Sequence, residues 1–409
     1  MKWNSLSRSA RNAILIGTLC SASYLAVYVA RNVLSAVTPQ MIDPGTGVTD
    51  EERIGFLSSV YFIMYAVGQL INGAIGDKIK AHFMISTGLL MAGVANVLFV
   101  YLPQNSVSSI LAYGISGFFL SMIYGPMTKV VAENTEPHHA TRCSLGYTFS
   151  SFFGSPLAGI AAAALVWQSV FWVAGGALVG MAAVCLVLFL VMERRGIVKY
   201  GQYKTEKKGK TGAVGVLIRH RIVKFSLISI LTGVVRTTVV FWLPTYINQH
   251  LGFDTNTSAA LFTAATLVIS LTTFVAVFVY ERLGRNMDLT ILLMFALSTV
   301  FFLLVFFVSQ PAVNIALLVL AIMASNSAAT MLWSRYCPSL RDTGMVSGAT
   351  GFLDFLSYMA AAVSSSVFSG AVSDIGWPGL ILVWTGLVAL GILVALPWGR
   401  ILRRPNSVW

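Results

Sequence analysis

Uncharged apolar blocks recur along this chain: Ile14–Ala30, Phe83–Tyr101, Val170–Val191, Leu289–Val308 and Leu380–Ala395 run 16 to 22 residues without a charged side chain. At 1.5 Å per helical residue, such a block crosses or nearly crosses a hydrocarbon core of ~30 Å. A chain inside a bilayer must satisfy its own backbone, as helices or as a closed barrel. Barrel strands alternate in polarity, whereas these runs are continuous. The reading is an all-α membrane protein. Only 10% of the residues are charged, against roughly 25% in an ordinary soluble domain, so the chain lacks the polar surface that a soluble fold of this length needs.

The hydropathy pattern predicts twelve spans, at 12–38, 54–75, 83–102, 108–130, 143–166, 170–192, 223–247, 257–280, 287–309, 312–334, 343–372 and 377–399. The first apolar run is too long for a signal-peptide core, and no small-residue cleavage pattern closes it. Between the sixth and seventh spans the composition turns basic and glycine-rich. Residues 193–222 therefore read as a cytoplasmic linker joining two six-helix halves, 1–192 and 223–409.

Charge placement predicts the orientation. With both termini cytoplasmic, 24 of the 27 Lys and Arg residues fall on the cytoplasmic side, and outside loops keep only Arg53. That is the positive-inside bias, and the opposite orientation inverts it throughout. The net charge of +12 is thus a topology signal, and a nucleic-acid partner is the wrong inference from it.

The sequence repeats across the linker. Arg31, Pro39 and Ile42 in the first span recur as Arg236, Pro244 and Ile247 in the seventh, each at an offset of 205. Asp77-Lys78 after the second span recurs as Glu281-Arg282, followed by Gly284-Arg285, after the eighth. A repeated membrane fold with a site at the bilayer midplane is the architecture of many secondary transporters. The acidic–basic pair followed by x-Gly-Arg resembles the loop motif of the major facilitator superfamily. That resemblance implies a gating role for Asp77, Lys78, Glu281, Arg282 and Arg285.

Arg31, Arg236 and Asp354 are the ionisable groups of the Asp, Glu, Lys, Arg and His kinds that fall inside the predicted spans, away from loops and edges. An arginine at helix centre costs ~2.5–3.5 kcal/mol on insertion scales, so two of them call for a function. The planar guanidinium fork gives parallel bonds to a phosphate or carboxylate and stays charged when buried. Two forks on symmetry-related helices match the charge of about −1.5 to −2 on a phosphate monoester. Tyr24 and Tyr28 share a helical face with Arg31, and Tyr65 is followed one turn later by Gln69. Their rings and hydroxyls suit a sugar or glycerol moiety. No phosphate loop, catalytic triad or metal cluster appears: the four cysteines have no spacing pattern, and His138-His139 with Glu136 lacks companion ligands. The expectation is a transporter without cofactor or metal, and not an enzyme.

The stretches YLAVYVARNVLSAVTPQMI, GFLSSVYFIMYAVGQLINGAIGDK, VVRTTVVFWLPTYI and GMVSGATGFLDFLSYMAAAVSSSVFSGAVSDIGW together resemble the organophosphate:phosphate antiporters. The resemblance implies exchange of glycerol-3-phosphate or a hexose phosphate for inorganic phosphate. The family's two essential arginines fall on Arg31 and Arg236, its tyrosines on Tyr24, Tyr28 and Tyr65, and an acid of its glucose-6-phosphate branch on Asp354. Gln69 stands where glycerol-3-phosphate members have lysine. Two alternatives of other classes remain: proton-coupled symport of a carboxylate such as a sugar acid, and a non-transporting membrane sensor of the same fold. The expected setting is the plasma (inner) membrane, with a monomeric carrier in the lipid bilayer.

Overall fold

The computed structural model describes residues 7–43, 45, 47–76, 79–200, 220–337 and 346–396. Among them, 10 helices are long and apolar enough to cross a membrane. The last of these, Gly351–Ala395, holds Gly376 at φ 66° and ψ 177°, a conformation open to glycine, and so divides into the eleventh and twelfth spans. The shorter apolar helix Phe149–Ala164 supplies the fifth. All twelve expected spans are thus accounted for among the described residues.

Helix ends follow local chemistry. Ser7 caps the first span, Arg8–Met41, by accepting from the amide of Ala10. Asp254 and Asn286 cap the starts of the eighth and ninth spans by accepting from Thr257 and Leu289. Inside the spans, hydroxyls and amides turn back on their own helices. Ser23 donates to the carbonyl of Leu19 and Thr38 to that of Leu34, both at 2.7 Å. In a medium without water, this satisfies side chains that would otherwise cost several kcal/mol. Outward positions are apolar instead: Phe83, Val187, Phe278 and Phe307 are all exposed, the surface expected against lipid.

Most spans are continuous α-helix, and four depart from it. The fifth breaks between Pro137–Phe152 and Gly154–Ala164. The seventh, from Ile222 to Gln249, holds a π-helical segment at Val234–Val239. The eighth breaks between Thr255–Ile269 and Thr272–Arg282. The tenth, Pro311–Met331, continues into a second π-helical segment, Leu332–Tyr336. π-helix accounts for well under 1% of residues and gathers at functional sites.

The described residues form two compact units. The first draws on Met1–Lys210, Phe241–Ser270 and Ala361–Ala371; the second on Thr211–Val240, Leu271–Ala360 and Val372–Trp409. In the first unit the third span (Ala81–Tyr101) packs on the fourth (Val107–Asn134) and sixth (Trp167–Arg194), and the first packs on both parts of the fifth. A Cβ at Gly93 would stand 2.8 Å from the carbonyl oxygen of Gly175, and one at Gly175 would stand 2.9 Å from that of Gly93, so this crossing of third and sixth spans depends on both glycines. Also within the first unit, the second span (Glu51–Gly76) meets residues 361–371 along a hydroxyl seam. Ser365 donates to Ser58 at 2.8 Å, and Ser59 donates to the carbonyl of Ala362 at 2.5 Å and pairs with Ser366 at 2.6 Å. In the second unit the tenth span packs on the seventh, eighth and ninth. Lys224 ties three ends together there, donating to Asp288 at 3.0 Å and to the carbonyl of Ala395 at 2.8 Å.

The start of the linker is ordered against the first unit. Lys80 pairs with Glu193 at 2.5 Å, the amide of Lys199 donates to Asn134 at 2.7 Å, and His82 Nδ1 lies 3.1 Å from the hydroxyl of Tyr200. Burial drives the Tyr200 phenol well above its ordinary pKa.

Candidate functional site

The first unit builds one arginine environment. Helix continues for ten residues beyond Arg31, to Met41, or ~15 Å, which is half the depth of a hydrocarbon core. The guanidinium carbon of Arg31 lies 5.3 Å from the ring centres of Tyr28 and Tyr65 and 5.9 Å from that of Phe62. These distances are within cation–π range, so ring faces hold the charge without neutralising it. Behind them, Tyr24 packs on Tyr28 at 4.9 Å, on Tyr124 at 5.5 Å and on Tyr147 at 5.9 Å. Asn32 donates to the carbonyl of Tyr28 at 2.6 Å. Gly154, at the break in the fifth span, lies against Tyr28, where any Cβ would meet that residue's own Cβ and carbonyl. Gln69, one turn beyond Tyr65, is half-buried, and its Nε2 has no hydrogen-bond partner among the described residues.

The structure therefore brings Tyr28 and Tyr65 directly to Arg31 and places Tyr24 one ring further away. Phe62, Tyr124 and Tyr147 were not anticipated from sequence. Phe62 precedes Tyr65 by three positions, so helical spacing could have found it. Tyr124 and Tyr147 come from other spans, and no local pattern reports them.

The second unit builds a different environment around Arg236. This residue stands within the π-helical segment of the seventh span, and from Thr232 to Val239 it alone is not buried. Its Nη2 is 3.9 Å from Asp354 Oδ1, with the two side chains 29% and 20% exposed. The guanidinium carbon lies 5.8 Å from the ring of Tyr358 and 5.9 Å from that of Trp333. Asp354 and Tyr358 are one turn apart on the eleventh span, while Trp333 is carried by the π-helical segment of the tenth. The approach of these elements is close: a Cβ at Gly233 would stand 2.8 Å from the carbonyl of Ser357, and Ser229 donates to the carbonyl of Leu353 at 2.7 Å. Sequence reading found Arg236 and Asp354 but not their rings. Tyr358 was legible as Asp354 plus four. Trp333 was not, since it lies beside Arg335 at the expected end of a span.

The loop motif is partly described. Asp77 and Lys78 lie outside the described residues. Glu281 is exposed and makes no ion pair among the described residues. Arg282 lies 5.2 Å over the ring of Phe278. Gly284 and Arg285 both have positive φ, at 63° and 59°, and so turn the chain into the ninth span, Met287–Phe307. Among the described residues there is no group of three or more His, Cys, Asp or Glu side chains able to hold a metal.

A family model described as Major Facilitator Superfamily matches residues 20–364. Among curated proteins, a membrane sensor protein UhpC of Escherichia coli (strain K12) is 22% identical, over 92% of this chain and 89% of its own. A glycerol-3-phosphate transporter of Bacillus subtilis (strain 168) is 22% identical, over 97% of this chain and 94% of its own. A phosphoglycerate transporter protein of Salmonella typhimurium is 24% identical, over 89% and 84%. Among solved structures, a D-xylose-proton symporter superposes with a TM-score of 0.73 at 13% identity, covering 94% of this chain and 97% of that one.

Proposed function

Because this chain belongs to the Major Facilitator Superfamily, and so is a multi-pass membrane transporter rather than an enzyme, we propose that it exchanges a phosphorylated organic anion for inorganic phosphate. The observation that carries this reading is the pair of arginines at matching positions of the repeat, each deep in a span and each faced by aromatic rings. Relatives named as glycerol-3-phosphate and phosphoglycerate transporters support the same chemistry, and the set of relatives is consistent with the organophosphate:phosphate antiporters.

In this reading both forks serve one phosphoryl group, whose oxygens accept parallel bonds from each guanidinium. The tyrosines around Arg31 hold the anion's neighbouring hydroxyls, and Gln69 offers its amide where a cation is absent. Asp354 tempers the charge of Arg236 and orients its fork. The two six-helix halves, 1–192 and 223–409, rock about the loaded site, with Asp77, Lys78, Glu281, Arg282 and Arg285 steadying one gating state from the cytoplasmic loops. Both termini are cytoplasmic, in a plasma membrane, and the carrier works as a monomer.

Exchange follows from electrostatics. The span interiors hold two arginines and one aspartate, so a site closed without its anion would desolvate excess positive charge, at several kcal/mol even after relaxation. A bound phosphate or phosphate ester cancels that charge, and the loaded carrier reorients. The test is efflux of preloaded labelled phosphate from vesicles, into anion-free buffer and into buffer containing phosphate. Fast efflux only into phosphate is expected, and equal rates would sink the exchange mechanism. Ligand binding without flux would instead assign the sensor role that one relative's name carries.

A further inference from the structure

The tenth span carries a polar face that the phosphate chemistry leaves unused. From Ala321 to Leu332 every residue is buried except Asn326 and Thr330, and Trp333 follows as the next half-exposed position. The spacing is i, i+4 and i+7, so all three lie on one helical face. That face is turned toward the seventh span, because Trp333 meets the guanidinium of Arg236. Asn326 Oδ1 is buried without a hydrogen-bond partner among the described residues, and so is the hydroxyl of the adjacent Ser325, which is 0% exposed. Thr330 donates back to the carbonyl of Asn326 at 2.9 Å, leaving its oxygen lone pairs as acceptors. A buried amide oxygen left unmatched costs about 1–3 kcal/mol, and buried polar groups of this kind call for an explanation.

We infer that Asn326, Thr330 and Trp333 form the subsite for the hydroxylated carbon skeleton of the transported anion. The inference rests on the transport reading above and assigns to these residues the distinction between organic ester and inorganic phosphate. The chemistry matches. Asn326 Oδ1 accepts a hydroxyl proton that no described residue supplies, Thr330 accepts a second, and the indole offers a flat apolar face to C–H groups. Two turns of helix separate Asn326 from Trp333, ~10 Å, room for a short polyol chain whose phosphoryl end lies at Arg236. Trp333 lies at the start of the π-helical segment Leu332–Tyr336, so the tenth span leaves regular helix where it meets Arg236.

The experiment uses the full chain, purified and reconstituted, as wild type, Asn326→Leu, Trp333→Leu and Trp333→Phe. The half-saturation constants for glycerol-3-phosphate and glucose-6-phosphate are each divided by that for inorganic phosphate. The expected result is a rise of about tenfold in this ratio for Asn326→Leu and Trp333→Leu, the loss of one bond or stacking contact. Trp333→Phe, which keeps a ring face, recovers most of it. An unchanged ratio overturns the subsite, whether both constants shift together or neither does, because the residues then act only through Arg236 or through packing. A thermal-shift series with inorganic phosphate, glycerol-3-phosphate, glucose-6-phosphate and gluconate separates this inference from the transport reading. Stabilisation of wild type by gluconate alone, lost in Asn326→Leu and Trp333→Leu, sinks the phosphate reading and keeps the subsite. Stabilisation that survives both substitutions, or none by any of the four probes, overturns it.

Discussion

The guanidinium of Arg31 leaves an unbroken α-helix and meets three ring faces, whereas that of Arg236 leaves a π-helical segment and meets two ring faces and a carboxylate. The two residues hold equivalent places in the sequence repeat, so the repeat dictates where the positive charges stand and not what surrounds them. Ring faces attract a cation while leaving its field intact. A carboxylate at 3.9 Å is beyond hydrogen-bond range and tempers the charge without accepting a bond at that contact. Arg236 is thus the member of the pair with a carboxylate close by.

Replacing the forks tests this difference most severely. Arg31→Lys and Arg236→Lys each keep a charge and lose the bidentate geometry. Exchange in proteoliposomes is expected to fall about a hundredfold in each, the loss of one of the fork's two charge-assisted bonds at ~1.5–3 kcal/mol, with membrane insertion unchanged. A near-normal rate in either variant removes that arginine from the site.

The aromatic shells come next. Tyr28→Phe is expected to weaken apparent affinity by ~1.5–3 kcal/mol, a hydroxyl bond to a charged group. Tyr358, which is 3% exposed, keeps its ring face as phenylalanine and changes affinity less. Equal effects in transport titrations would erase the asymmetry. Gly154→Ala acts on the Arg31 side alone, by pressing a methyl group against Tyr28. Overpacking of this kind costs ~1–3 kcal/mol, read as a lower melting temperature together with weaker substrate binding. Gly351, in the eleventh span, has open space around its Cβ position and serves as the control glycine.

The smallest effect belongs to the carboxylate. Asp354→Asn is expected to retain exchange and shift apparent affinity about fivefold, ~1 kcal/mol, a modest electrostatic change at a half-exposed pair. Loss of proton-driven accumulation with counterflow intact would instead make Asp354 a proton carrier, and the carrier a symporter.

Much of this was legible in the sequence because a bilayer imposes a strong code. Uncharged blocks mark spans, and Asp374-Ile375-Gly376-Trp377-Pro378 marks the turn between the last two, although helix formally runs through it. Arg31 and Arg236 stood out because their cost demands a reason. The π-helical segments did not, since the residues 234–239 and 332–336 read as ordinary apolar helix, and one inserted residue per turn leaves no trace in composition. Trp333 was missed for another reason: it sits two residues before Arg335, at the expected end of a span. The first span's length was also underestimated at its C-terminal end, where helix runs on past Thr38 through Pro39 to Met41.

The hydroxyl seam between the second span and residues 361–371 has a consequence for how the carrier answers its surroundings. Every bond described along it joins a hydroxyl to a carbonyl or to another hydroxyl, each worth about 0.5–1.5 kcal/mol. Such a fastening carries no formal charge, so ionic strength does not screen it, and it holds no proton that a change of acidity could remove. It opens by small equal steps, at the same expense in dilute or concentrated salt. Any salt dependence in the transport cycle then originates elsewhere, at charged ends such as Lys80–Glu193.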